Sequence, residues 1–292
     1  MDNQSLQAFV TVAECASFSA AAERLYLTQS AVSKRIASLE HQIGKKLFDR
    51  IARQVTLTEA GTALLPRAQH ILQEYASAVQ AINDLSGDAN GKLNLAISHH
   101  LGLHRLPPIL KAFARKHPLV QLEIEFMDSE KAYENVLQGH SEVAVVTLAL
   151  DEQPNISRKK VWTDPLRFIC APDHPLAKIN QPSLKDLSKY PVILPGINTY
   201  TGRIIQTLFE SQNVPLKSPM STNYLETIST MVEIGLGWSM LPETLIKNLH
   251  VMTTDHSYVA RELGYIHHTK RSLSNAAVAF ISMLENAQLG TN

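Results

Sequence analysis

SAAAERLYLTQSAVSKRIASLE, residues 19–40, decides how this chain of 292 residues is read. Ala21, Ala22 and Leu25 recur at helical spacing, and after a break Ala31, Val32, Ile36 and Leu39 do so again, which predicts two short helices sharing one small core. Thr28 stands at the break, where its side-chain oxygen can accept a free backbone N–H and start the second helix. The face left over on that helix is Gln29, Ser30, Ser33, Lys34 and Arg35, a set able to hydrogen-bond base edges and phosphates if the N-terminal turn enters a major groove.

Two amphipathic helices joined by a turn also occur in proteins that never meet nucleic acid. Charge separates the alternatives. Arg24, Lys34, Arg35, Lys45, Lys46, Arg50 and Arg53 are opposed in that interval only by Glu40 and Asp49, a local excess of five positive charges in a chain whose formal net charge is zero. One basic patch on a neutral protein is the footprint of a module that meets phosphates. Downstream, LFDRIARQVTLTEAG (47–61) alternates apolar and polar residues from Gln54 to Thr58 and places Arg50 and Arg53 around a bend, the pattern of a two-stranded wing.

SFSAAAERLYLTQSAVSKRIASLE followed by LFDRIARQVTLTEAG resembles the N-terminal winged helix-turn-helix of the LysR-type transcriptional regulators. Looser likeness continues in HPLA at 174–177 and IGLGWSMLP at 234–242. The resemblance implies that Gln29, Ser30, Ser33 and Lys34 face double-stranded DNA and that Arg50 and Arg53 lie at the wing. It also implies a homodimer or homotetramer paired through a long helix, RNA polymerase as a further partner, and a periplasmic-binding-protein-like effector domain of two hinged lobes.

Leu6, Phe9, Val10, Val12 and Ala13 predict a first helix that closes the three-helix core. From Thr58, the positions Leu64, Ala68, Ile71, Leu72, Tyr75, Val79 and Ile82 recur at steps of three and four, predicting a helix that stops near Ser86-Gly87. At 1.5 Å per residue it spans roughly 40 Å, more than a small module can cover. The stripe therefore needs a second copy of the chain or the C-terminal domain, and pairing is favoured because two basic modules then match two half-sites.

The second half alternates strands and helices: KLNLAIS, LHRLPPILKAFARKHP, VQLEIEFMD, KAYENVLQGH and SEVAVVTL read as β-α-β-α-β, the unit of a parallel sheet. A second lobe starts near Trp162 with PLRFICA and YPVILP as strands, then TGRIIQTLFESQN, SPMSTN, LETISTMVEIG and LGWSMLP, and SNAAVAFISMLENA returns as a last helix to the first lobe. Crossings between lobes are expected near Lys160–Trp162 and Gly264–His267. The expected division is a winged module at 1–58, a linker and dimerisation helix at 59–88, and an effector domain at 89–292, with lobe one at 91–161 and 268–292 and lobe two at 162–267.

Such sheets bind ligands at the carboxyl ends of their strands. The expected effector contacts there are Ser98, His99, His100, Thr147, Asn198, Thr201, Gly202, Arg203 and Glu226, and helix N-termini near Ser98–His100 and Tyr200–Gly202 favour a small anion or carboxylate. Capping is the alternative role for the Ser and Thr residues, and a favourable first-turn position is the alternative for Glu226. His100 and His104 stand four apart on one predicted helix, but no cysteine or carboxylate stands at a matching spacing, so no metal site is expected. No cofactor is expected either.

A small-molecule-binding protein or an enzyme with an accessory helical domain is the competing class. Yet the chain has no GxSxG, GxxxxGK[ST] or HExxH, and its only GxG, Gly235–Gly237, opens a strand. Cys15 and Cys170 are expected to be buried, inert thiols. With no apolar run of about 18 residues and no basic-then-apolar start, a cytoplasmic protein with no membrane segment is expected.

Overall fold

The computed structural model describes residues 1–51, 54–83, 87–254 and 258–289. It divides into two compact units, Met1–Leu85 and Ser86–Asn292.

The first unit contains α1 (Asn3–Cys15), α2 (Phe18–Arg24), α3 (Gln29–Ile43), β1 (Phe48–Ile51), β2 (Gln54–Leu57) and α4 (Glu59–Asn83). Each of the first three helices begins at a side-chain cap: Asp2 accepts from Ser5 N–H, Ser17 from Ala20 N–H and Thr28 from Ala31 N–H. Leu6, Phe9, Val12, Ala21, Val32, Ile36 and Leu39 are buried together, and Phe48 joins them, its ring 5.4 Å from Phe9 and 5.7 Å from Phe18. The β1–β2 wing is antiparallel, pairing Phe48 with Leu57.

Thr58 ties the wing to the helices. Its hydroxyl donates to Lys46 C=O and accepts from Gly61 N–H, and its own N–H donates to Leu47 C=O. Gly61 passes so close that a Cβ there would fall 2.2 Å from the Leu47 carbonyl oxygen, a physical reason for the glycine that closes the LTEAG stretch. The apolar stripe of α4 serves two purposes along its length. Leu64, Ala68 and Leu72 pack on the three-helix core, whereas Ile71, Tyr75, Val79 and Ile82 are exposed.

The second unit is α/β. Its strands are β3 (Gly91–Ser98), β4 (Val120–Met127), β5 (Val143–Thr147), β6 (Ile156–Cys170), β7 (Ile193–Leu194), β8 (Met220–Ser221), β9 (Ser239–Pro242), β10 (His250–Met252) and β11 (Val259–His268). The helices are α5 (His99–His104), α6 (Pro107–Lys116), α7 (Ser129–Gln138), α8 (Leu184–Leu187), α9 (Tyr200–Ser211), α10 (Leu225–Glu233) and α11 (Asn275–Leu289). In lobe one β3 pairs in parallel with β4 and β5, and α6 and α11 cover one face around Phe113 and Phe280. Lobe two gathers Phe168, Phe209, Trp238 and Met240 around its own strands.

The two expected crossings form one antiparallel pair. β6 and β11 run unbroken through both lobes, and their register slips between Leu263 and Gly264, opposite Lys160–Trp162. A Cβ on Gly264 would lie 2.0 Å from the Lys159 carbonyl oxygen, so the slip needs glycine there. The predicted strand starting at Pro165 is therefore the end of a much longer one. The helix expected over 103–118 is two helices, because Pro107, without an N–H, starts a new one. Among the described residues no helix is long and apolar enough to cross a membrane.

Candidate nucleic-acid interface and effector cleft

Gln29 and Ser30 are exposed on the first turn of α3, Lys34 is exposed one turn later, and Ser33 is half-buried. The Ser30 and Thr28 hydroxyls are 3.0 Å apart. Arg35 turns aside and donates to Gln4 Oε1 of α1 at 2.9 Å. Arg24 and Lys46 are partly neutralised by Glu14 at 2.9 Å and Glu40 at 2.8 Å. Arg50 belongs to β1, opposite Val55. Its side chain, and Arg53 as a whole, lie outside the described residues. Tyr26, which sequence reasoning passed over, forms the turn before α3 at φ 54° and is 96% exposed.

In the second unit a cleft opens where β3 and β5 of lobe one end opposite α9 and α10 of lobe two. Ser98, His99, His100, Thr147 and Thr201 line it. Its volume is about 50 Å³, against about 10–15 Å³ for a cavity that holds one water on the same measure, so in this conformation it admits a group the size of a carboxylate.

Some of these residues are caps and some are not. Thr199 caps α9 by accepting from Gly202 N–H at 3.0 Å, which commits that amide. Ser98 and Asp128 stand at the starts of α5 and α7 without making a side-chain cap. Instead Asp128 accepts from the Asn223 amide at 2.6 Å, across the lobes. A second tie crosses beside it, from the Tyr200 N–H at the start of α9 to the Glu130 carboxylate. Burial, aided by Asp128, pushes the Glu130 carboxyl above its usual range.

Asn198 is exposed and does not line the cleft. Arg203 is exposed too, its guanidinium 4.8 Å from the centre of the Tyr200 ring. The cation in the cleft wall is Arg261, 4% exposed. Its Nε donates to Asp164 Oδ2 at 2.9 Å, its Nη1 donates to Thr201 Oγ1 at 3.0 Å, and its Nη2 lies 2.8 Å from the same Asp164 oxygen as an ion pair without hydrogen-bond alignment. Arg105 reaches Asp164 at 3.4 Å from lobe one. Sequence reasoning missed Arg261 and Asp164, because each strand carries other charges, Arg158, Lys159, Lys160 and Arg167 on β6 and Glu262 on β11, and nothing local sets these two apart.

Glu226 lies in the first turn of α10 and also meets the α5 histidines, with Oε1 3.0 Å from His104 Nε2 and 3.6 Å from His100 Nδ1. The expectation that no carboxylate accompanies those histidines looked only at nearby sequence, and here the fold supplies one from more than a hundred residues away. Burial first, then the Arg261 charge, pushes the His100 imidazole down to about 3, against a weaker pull from Glu226.

A capped, exposed helix beside an antiparallel wing, joined in one chain to a hinged two-lobed domain with a polar cleft, defines a DNA-binding regulator with a built-in effector domain. Residues 3–62 match the family described as bacterial regulatory helix-turn-helix protein, lysR family, and residues 86–288 match the LysR substrate binding domain. The chain belongs to the LysR family and is a DNA-binding transcriptional regulator, not an enzyme. An uncharacterized HTH-type transcriptional regulator in the ibpB-leuC intergenic region of Azotobacter vinelandii is 62% identical over 108 residues, 37% of this chain and 75% of that relative. The fold matches full-length CbnR complexed with its target DNA at a TM-score of 0.71 and 20% identity, covering 98% of this chain and 100% of that one. The effector binding domain of QuiR in complex with shikimate matches at a TM-score of 0.63 and 19% identity, covering 69% of this chain and 99% of that one.

Proposed function

We propose that residues 1–58 read DNA, 59–88 pair two copies, and 89–292 (lobe one 91–161 and 268–292, lobe two 162–267) bind an effector, with the protein acting on promoters in the cytoplasm alongside RNA polymerase. Gln29, Ser30 and Ser33 contact base edges, while Lys34, Arg35, Arg50 and Arg53 contact phosphates. The observation that carries the DNA reading is the exposed first turn of α3, with Gln29 and Ser30 free of the core that Val32, Ile36 and Leu39 fill. The exposed run Ile71, Tyr75, Val79 and Ile82 supports pairing through α4, as a dimer that can stack into a tetramer.

The effector is a small carboxylate. Support comes from Glu130, whose own carboxylate sits on the Tyr200 N–H at the start of α9 and so marks a seat for one. An effector carboxylate that takes this seat displaces Glu130, cuts a tie between the lobes and changes their angle, by no more than its difference in affinity for the two arrangements. QuiR's ligand, shikimate, is a carboxylate of suitable chemistry.

Mobility shift on the DNA upstream of the protein's own gene tests the first part. Gln29→Ala should lose affinity for the specific site and little for random DNA, whereas Lys34→Ala should weaken both and flatten the salt dependence. Equal losses on both DNAs for Gln29→Ala would overturn the orientation of α3. Thermal shift of the full chain with a panel of small carboxylates tests the second part, since a ligand of the folded lobes raises their melting temperature.

A further inference from the structure

Among the described residues, three ligand-type atoms converge where α5 of lobe one meets α10 of lobe two: His100 Nδ1, His104 Nε2 and Glu226 Oε1, all within 4.8 Å of one another. The histidines are four apart on one helix face, with ring centroids 4.7 Å apart. A hydrogen bond between His104 and Glu226 explains His104. It does not explain His100. The His100 side chain is 6% exposed, and its Nδ1 is buried without a hydrogen-bond partner, 3.6 Å from the carboxylate. Its other nitrogen, Nε2, lies 3.4 Å from the Thr244 hydroxyl. With Nε2 donating towards Thr244, the Nδ1 lone pair is left facing the Glu226 carboxylate, a donor set open to a cation.

We infer that His100, His104 and Glu226 bind a divalent transition-metal ion of the zinc class, in a three-ligand site with one coordination position left open. A tetrahedral ion with bonds of about 2.0–2.2 Å needs donor-to-donor edges of roughly 3.3–3.6 Å. The two edges at Glu226, 3.0 and 3.6 Å, bracket that range. The remaining edge closes by rotation of the His104 side chain, which is 27% exposed and has room to turn. Two imidazoles and one carboxylate select zinc, cobalt or nickel over magnesium or calcium. Thr244 supplies the outer contact that orients a metal-binding histidine.

The rival is the neutral tautomer with its hydrogen on Nδ1, but at 3.6 Å from Glu226 that hydrogen makes no hydrogen bond. The Arg261 charge is itself met by Asp164 at 2.8 Å, so it does not close the site to a cation. Because the ligands come from both lobes, the bound ion ties α5 to α10 and couples metal binding to the lobe angle. His100 lines the same cleft as the Glu130 seat, but neither Glu130 nor the Tyr200 N–H is a metal ligand, so metal binding and carboxylate binding are read separately.

The test uses full-length protein stripped with a chelator and titrated with cobalt(II), read by its visible d–d absorption, and then with zinc as competitor. One equivalent should saturate the bands, and zinc should abolish them. His104→Ala and Glu226→Gln, both partly exposed positions, should each weaken binding by about ten-fold or more, and Thr244→Val should weaken it with all three ligands in place. His140→Ala, an exposed histidine elsewhere, should bind as the parent does. Absence of saturable one-to-one binding, or parental affinity in both His104→Ala and Glu226→Gln, overturns the site. Far-ultraviolet circular dichroism checks the fold of each variant, and Thr244→Val keeps the test decisive if a ligand variant unfolds. Carboxylate binding by the metal-free protein is read separately, so the two proposals fail independently.

Discussion

Asp164→Asn should destabilise the second unit far more than a surface change, by an amount set by the burial of the pair it breaks. Asp164 is 1% exposed and Arg261 4%, so neither charge can turn to water when its partner is lost. The substitution keeps the side chain's size and removes its charge, leaving Arg261 with a hydrogen bond to Thr201 and no counter-ion, and Arg105 without its partner. Breaking a buried pair from one side costs about 3–5 kcal/mol. For a unit of this size that lowers the melting temperature by roughly 6–20 °C. Calorimetry on the full chain carries its own control, because the transition of the DNA-binding unit should stay in place. Replacing both members with Asp164→Leu and Arg261→Met should recover most of the loss, since Arg105 is 24% exposed and can reach solvent. A shift of less than roughly 2 °C for Asp164→Asn, equivalent to under 1 kcal/mol, would refute the claim that this pair is desolvated.

Three further outcomes follow from other contacts. Glu40→Ala removes the acceptor of the buried Leu47 N–H at 2.8 Å and should cost the first unit about 1–3 kcal/mol in urea unfolding, well above the loss for Lys46→Ala on the surface; equal losses would refute the role of that bond. Burial pushes the Glu40 carboxyl up, but the Lys46 and Leu47 hydrogen bonds outweigh it and hold the carboxyl below 4.5. The contribution of Glu40 is thus present above that pH and lost on acidification through the lower folded value, so the Glu40→Ala deficit should shrink in acid. Glu130 has the opposite sign: burial raises its carboxyl above 4.5, so the folded state binds the proton more tightly and loses stability as pH rises through that window. Glu130→Gln, which retains an acceptor for Tyr200 N–H, should melt higher than the parent at neutral pH and no differently near pH 4, as checked by thermal melts across pH. Tyr75→Asp with Val79→Asp should convert the assembly to monomers in analytical ultracentrifugation without lowering the helix content; an unchanged mass would place the pairing surface elsewhere.

Local chemistry made the DNA-binding half legible. Thr28 caps α3, the periods of three and four around Val32, Ile36 and Leu39 mark its buried face, and the alternation after Gln54 marks the wing, because each signal spans only a few residues. The β-α-β order of lobe one was visible for the same reason. The long strands β6 and β11 were not, since they pass through both lobes with one edge of each change in surroundings, and no single alternation runs along them.

The sequence by itself therefore determined the capped helices, the wing, the two-lobed α/β plan and the family. Only the tertiary structure decided which polar groups meet in and beside the cleft: Arg261 meets Asp164 across 97 positions, the Tyr200 N–H meets Glu130 across 70, and Glu226 meets His104 across 122. Such pairs leave no trace in spacing, because chain reversal brings them together, and a buried charge is tolerated only where that reversal delivers a partner.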